Sequence, residues 1–167
     1  IPERRIIIES VHVDPENGES GVDAHMWGRL QKNLAILEKW PPLPDQKNTI
    51  TVVMNNPGGD AYHMLAMYDR IKSSPCWIIM EVSGHAMSAG SIIFQAADLR
   101  RVHKHSTMMI HHGTYRFEGH MRDLQSGAAE SKRIEELMYD IYLEGMCKKD
   151  PKFNGRLCRE RLKKMMN

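Results

Sequence analysis

Three short stretches carry residue types that could do chemistry together: Pro57-Gly58-Gly59, the run from Gly84 to Ser91 that contains Ser88, and Met109-Ile110-His111. Ser88 follows a nearly unbroken apolar run, Cys76 to Val82, and precedes Ile92, Ile93, Ala96 and Ala97, which have the spacing of a helix's buried face. A serine lifted at such a strand-to-helix turn could be a nucleophile. Amides at a helix start lack partners inside the helix and carry the positive end of its dipole, so the Ala89 amide is the natural first donor to an oxyanion. The usual nucleophile elbow puts glycine two residues before the serine, where this chain has Ala86. Small residues here also fit close helix packing. Gly59 lets the backbone approach a ligand and could add a second oxyanion donor, although Pro-Gly-Gly is also an ordinary turn. His111 could serve as general base, since imidazole titrates near neutral pH, although a histidine ending a strand is also a common packed or solvated residue. The combination of the three on successive units of one sheet is what points to acyl transfer.

The elements that must position these residues follow from periodicity. Arg5 to Glu9 reads as a strand, Asp14 to Gly21 as a polar loop, and Met26, Leu30, Leu34 and Leu37 as a helix capped by Asp23 and stopped at Pro41. Ile50 to Asn55 is a second strand, and Met64, Leu65, Tyr68 and Ile71 mark a second helix. The strand from Cys76 leads into the serine turn and a helix to about Asp98. Leu99–His103 and Thr107–His111 are two further short strands. Strands alternating with helices imply crossovers and a mainly parallel sheet, whose sites gather at the carboxyl ends of its strands. A long helical pattern then runs from about Glu118 to Gly145, long for so small a domain, which suits packing on another subunit and equally an ordinary surface helix. Arg156 to Asn167 is a basic helix read as a solvated face.

With 167 residues, 41% hydrophobic and 26% charged, the chain fits one α/β domain. A net charge of +2 with no basic module argues against nucleic acid, and no apolar run approaches the ~18 residues of a membrane span. The expectation is a protein with neither a signal peptide nor an anchor. Cys76, Cys147 and Cys158 form an odd set without metal-ligand spacing, so the expectation is a reduced, cytoplasmic protein that binds no metal.

The stretches Asn55 to Asp60, Gly84 to Ser91 and Met109 to His112 resemble the motifs of the Clp protease proteolytic subunit family, and the likeness extends from Arg5-Ile6-Ile7 to the long helix. That resemblance implies a crotonase-like α/β fold with flanking helices: a head over about 1–112, a protruding strand-and-helix handle over about 113–145, and a C-terminal helix over about 153–167. It implies a serine endopeptidase needing no cofactor, with Ser88 as nucleophile, His111 as base, and Gly59 and Ala89 as oxyanion donors. It also implies homo-oligomeric rings of seven, stacked in pairs around a chamber, and an AAA+ unfoldase that delivers unfolded polypeptides. Thr51 and Val53 stand where family members often carry aromatics that receive the unfoldase. The acid that orients the histidine is expected beyond Asn167, in a closing segment, with Asp150 as the fallback; Asp123 and Asp140 fall in the long helix.

Two other readings remain open on the same residues. A crotonase-type acyl-CoA enzyme also uses paired backbone amides, which leaves Ser88 incidental. A pseudo-protease acting as an assembly scaffold fits the unlocated acid.

Overall fold

In a computed structural model of the chain, the described residues are 4–9, 13–14, 18–19, 21–42, 48–115, 118–147 and 155–166. The chain divides into two compact units, Ile1–Met109 and Ile110–Asn167.

The first unit is built on a five-stranded sheet. Strand β1 (Arg5–Glu9) pairs in parallel with β4 (Thr49–Asn56), and β4 pairs in parallel with β5 (Trp77–Met87). The far edge of β5 is shared end to end. Strand β6 (Leu99–Val102) pairs with Ile79–Val82, and β7 (Thr107–Met109) pairs with His85–Met87, both in parallel. A small antiparallel pair, β2 (Val13–Asp14) and β3 (Gly18–Glu19), overlaps the stretch from Asp14 to Gly21 expected to be loop.

Helix α1 (Ala24–Lys39) starts where Asp23 accepts the Met26 N–H at 2.7 Å and ends just before the prolines at 41 and 42. Helix α2 (Ala61–Lys72) is capped in the same way by Asp60, which accepts the His63 N–H at 2.8 Å. The two helices are tied by a two-pronged pair: Arg70 donates to the two carboxylate oxygens of Glu38 at 2.8 and 2.6 Å. Ser74 adds a third bond to Glu38 at 2.8 Å.

Burial alternates along the strands, with Ile50, Val52 and Met54 inward on β4 and Ile78, Met80 and Val82 inward on β5. Leu30 and Leu34 of α1 and Met64, Met67, Tyr68 and Ile71 of α2 are buried with them. Each large side chain so enclosed contributes about 1.5–3 kcal/mol. The apolar run in β5 is therefore not buried throughout. Trp77 stays 50% exposed, as does Ile7 of β1 at 52%, because successive side chains point to opposite faces of the sheet. On α2, Met67 takes the inward place expected of Leu65, which is half-buried.

In the second unit, α4 (Met121–Cys147) carries the long helical pattern, and α5 (Gly155–Met166) is the basic helix. No strand is assigned to the described residues between Gly113 and His120, where the resemblance implies one. The charged face of α5 is not wholly solvated: Arg159 reaches Glu136 and Asp140 on α4 and stands 5.6 Å from the Tyr139 ring, beside Lys163 at 5.4 Å. Those guanidinium bonds hold the Glu136 carboxyl below its ordinary value, and burial followed by the Glu135 charge raises the Tyr139 phenol. His112 pairs with Glu135 and meets the Tyr139 ring edge-on, and its N–H donates to the Met166 carbonyl at 3.4 Å. Among the described residues no helix is long and apolar enough to cross a membrane.

Candidate active site

Strand β5 runs five residues past the expected apolar segment, through Ser83–Met87, and so absorbs the predicted turn. The extension exists because β7 arrives alongside it. Where β5 changes partner it bulges: Met54 faces Val82 but Asn56 faces Ala86, so that Asn55 alone stands opposite Ser83, Gly84 and His85. Asn55 fills the gap by accepting the His85 N–H at 3.2 Å, and Gly84 adopts φ 109° against it. A Cβ at Gly84 would stand 2.4 Å from Asn55 Oδ1, so only glycine fits. Ser106 staples the same bend, accepting from Gly84 N at 3.2 Å and donating to the Val82 carbonyl at 2.8 Å.

The strand delivers Ser88 at its end in a conformation side chains rarely adopt, φ 49° and ψ −120°, the one positive φ outside glycine among the described residues. Such a backbone costs on the order of 1–3 kcal/mol and persists only where neighbours impose it. Here they do. The Ser88 N–H donates to the Met109 carbonyl at 2.9 Å, and its carbonyl accepts both the N–H of Ser91 at 3.0 Å and the Ser91 hydroxyl at 2.7 Å. Ser91 is fully buried beneath it. The helix that follows is shorter than the expected run to Asp98: α3 spans Ala89–Ile93 and passes into a 3-10 turn at Phe94–Ala96. So short a helix has little macrodipole, and what the structure gives the Ala89 amide is its place in the first turn.

The glycine loop lies directly against the serine. A Cβ on Gly58 would stand 2.6 Å from Ser88 Cβ and 3.2 Å from Ser88 Oγ. On its other side the loop is held by Val22, whose N–H donates to the Gly58 carbonyl at 2.6 Å and whose carbonyl accepts the Asp60 N–H at 2.8 Å. This is a parallel bridge centred on Gly59, so the N–H of Gly59 points away from Val22. The Gly58 N–H is instead taken by Asn56 Oδ1 at 2.9 Å. Gly58 is buried and Gly59 exposed, so Gly59 is the glycine whose amide suits an outside ligand. The Asp60 carboxyl, which burial alone would raise, is held below its ordinary value by the backbone and ring N–H groups of His63.

Ser88, Gly59 and Ala89 thus belong to the first unit, and the structure brings the glycine loop and the serine turn together. His111 belongs to the second unit and is half-buried, two residues past the end of β7. The fallback acid, Asp150, lies outside the described residues. Sequence reasoning gave no role to Asn56, Ser91 or the Met109 carbonyl. The Asn-Pro pair at 56–57 is a turn signal that could have flagged the first of these.

The sequence pattern of the Clp protease family matches residues 19–165. A relative from Deinococcus radiodurans, described as an ATP-dependent Clp protease proteolytic subunit, is 31% identical over 123 residues, which cover 72% of this chain and 58% of the relative. Another from Porphyromonas gingivalis, with the same description, is 28% identical over 122 residues, covering 72% of this chain and 53% of the relative. The chain spans a little over half the length of the curated relatives it matches. Together with the mainly parallel sheet and its flanking helices, the extent of the match shows that the chain belongs to the Clp protease family.

Proposed function

We propose that the chain is a serine endopeptidase that cuts unfolded polypeptides, with Ser88 as nucleophile, His111 as general base, and the amides of Gly59 and Ala89 as oxyanion donors. The observation that carries the reading is the Ser88 backbone, held at positive φ at a strand end with the glycine loop against its side chain. Ser88 Oγ attacks the scissile carbonyl carbon while its proton passes to the His111 imidazole. The carbonyl oxygen becomes an oxyanion that the two N–H groups stabilise, worth ~2.7–4 kcal/mol for a single donor in comparable enzymes. Collapse of the tetrahedral species expels the amine, which takes the proton from the imidazolium. Water then attacks the acyl-enzyme by the same path in reverse.

The acid that orients His111 is assigned to residues outside the described ones, with Asp150 the fallback. The relatives' description as a proteolytic subunit of an ATP-dependent protease supports an active form that works with further subunits and an ATP-driven partner. The family resemblance adds the rest of the proposal: a homo-oligomer of stacked seven-membered rings in the cytoplasm, supplied by an AAA+ unfoldase.

Replacing Ser88 with alanine tests the reading. We expect loss of both peptide hydrolysis and fluorophosphonate labelling, and labelling of the intact protein at Ser88 alone. Hydrolysis that survives Ser88→Ala refutes the assignment. An assembled oligomer that never reacts with the probe favours a scaffold.

A further inference from the structure

Asn56 and Ser91 are the fully buried polar side chains among the described residues, and Ser91 bonds the Ser88 carbonyl directly. A buried amide is costly unless its groups are paired, so the partners of Asn56 show what it holds in place. Its Oδ1 accepts the Gly58 N–H at 2.9 Å, and its Nδ2 faces the Met26 sulfur of α1 at 3.4 Å. Its Oδ1 also lies against Gly90 in the first turn after Ser88, so closely that a Cβ there would be 3.0 Å from it. One side chain therefore spans the glycine loop, the helix that follows the serine, and α1.

We propose that Asn56 is a positioning residue for the oxyanion: by taking up the Gly58 N–H and bracing Oδ1 against Gly90, it fixes which way the Gly59 N–H points relative to the Ala89 N–H. The inference rests on the reading of Gly59 and Ala89 as donors. The bond runs from a side chain to the amide two residues on, the asparagine turn that presets a loop's dihedrals. Gly58 and Gly59 hold φ 115° and 143°, open to glycine because it lacks a Cβ, and such residues have no intrinsic preference for one geometry. The Val22 N–H holds the Gly58 carbonyl, in the peptide that carries the Gly59 N–H, and Asn56 holds the Gly58 N–H, in the peptide before it. Without Asn56 the preceding peptide loses its anchor, the Gly58 dihedrals are fixed from one side only, and the Gly59 donor loses part of the preorganisation that makes it effective in the transition state.

The test uses the intact, assembled protein and compares Asn56→Ala, Asn56→Ser and Gly90→Ala. A donor role is exercised only in the transition state, so we expect Asn56→Ala to lower kcat by roughly 10- to 100-fold, short of the ~10²–10³ lost with a donor itself, while KM stays within about twofold. Affinity for a peptide aldehyde, whose hemiacetal oxygen occupies the oxyanion position, should fall in step with kcat/KM; affinity for an unreactive product peptide should hold. Asn56→Ser retains a weaker acceptor for the Gly58 N–H and should recover part of the loss. Gly90→Ala crowds Oδ1 without removing it and should reproduce the fall in kcat. Wild-type kcat in a folded Asn56→Ala protein overturns the proposal. If that variant does not fold, wild-type kcat in both Asn56→Ser and Gly90→Ala overturns it. A parent protein inert to substrate and to fluorophosphonate instead overturns the functional reading and this inference with it.

Discussion

Gly58 gives the sharpest test of how the loop and the serine are packed. In Gly58→Ala the new Cβ would stand 2.6 Å from Ser88 Cβ and 3.1 Å from the Met87 carbonyl oxygen. Ordinary carbon contacts begin near 3.5 Å, so the overlap with Ser88 is about 0.9 Å. Its φ of 115° adds strain for any residue with a side chain. Backbone strain of ~1–3 kcal/mol and overpacking of ~1–3 kcal/mol together give roughly 2–6 kcal/mol, a large share of the 5–15 kcal/mol that holds a typical domain. For a chain of this size that is a fall in Tm of about 4–24 °C. Displacing Ser88 by even an ångström should also slow fluorophosphonate labelling by on the order of 10²-fold. Gly28→Ala is the control. Gly28 is exposed within α1 with nothing within 4 Å of a new Cβ, so alanine there should stabilise by about 0.8–1 kcal/mol through helix propensity. Thermal melts and labelling rates measure both. If Gly58→Ala melts and labels like the parent, the close approach of loop and serine is wrong.

Two further outcomes concern the helices that flank the sheet. The Arg70 bonds, then the Ser74 hydroxyl and the Arg70 and Arg4 charges, outweigh burial and hold the Glu38 carboxyl below its ordinary 4.5; both side chains of the pair are 15% exposed. A depressed carboxyl contributes stability that is complete above its unfolded value and is lost as pH falls through the folded one. Glu38→Gln should therefore cost roughly 1–3 kcal/mol in urea melts at pH 7, and the gap to the parent should close as pH is lowered below about 4.5; an unchanged gap at acid pH contradicts the pairing. Asp23→Ala should cost about 1 kcal/mol by removing the cap on Met26 N–H, with Asp23→Asn nearly neutral in the same melts.

Much of the scaffold was legible because its signals are local. The first strand falls on Arg5–Glu9, α1 starts after Asp23 and stops before the prolines, and the long periodic run becomes α4. What could not be read depends on partners distant in sequence. Residues Gly84–Met87 look like a turn, and they are strand only because Thr107–Met109 pairs with them. The helix after Ser88 reads as continuous to Asp98 on composition, yet Phe94–Ala96 tightens to 3-10. Asn56 looks like one more turn residue, and its role depends on Gly58 and Gly90, which only folding brings against it. At the site, Ser88 and Gly59 stand out by residue type. The neighbours that fix their dihedrals do not.

The shared edge of β5 places an unusual demand on four residues outside the proposed catalytic set. Between Val102, which faces Val82, and Thr107, which faces His85, the connection His103–Ser106 must make up the offset while β6 and β7 occupy one rim in succession. Because side chains alternate with a period of two, one residue gained or lost there would invert β7 and send the carbonyl that receives the Ser88 N–H to the wrong side. Natural variation in chain length should accordingly be found in other loops and be missing from this one.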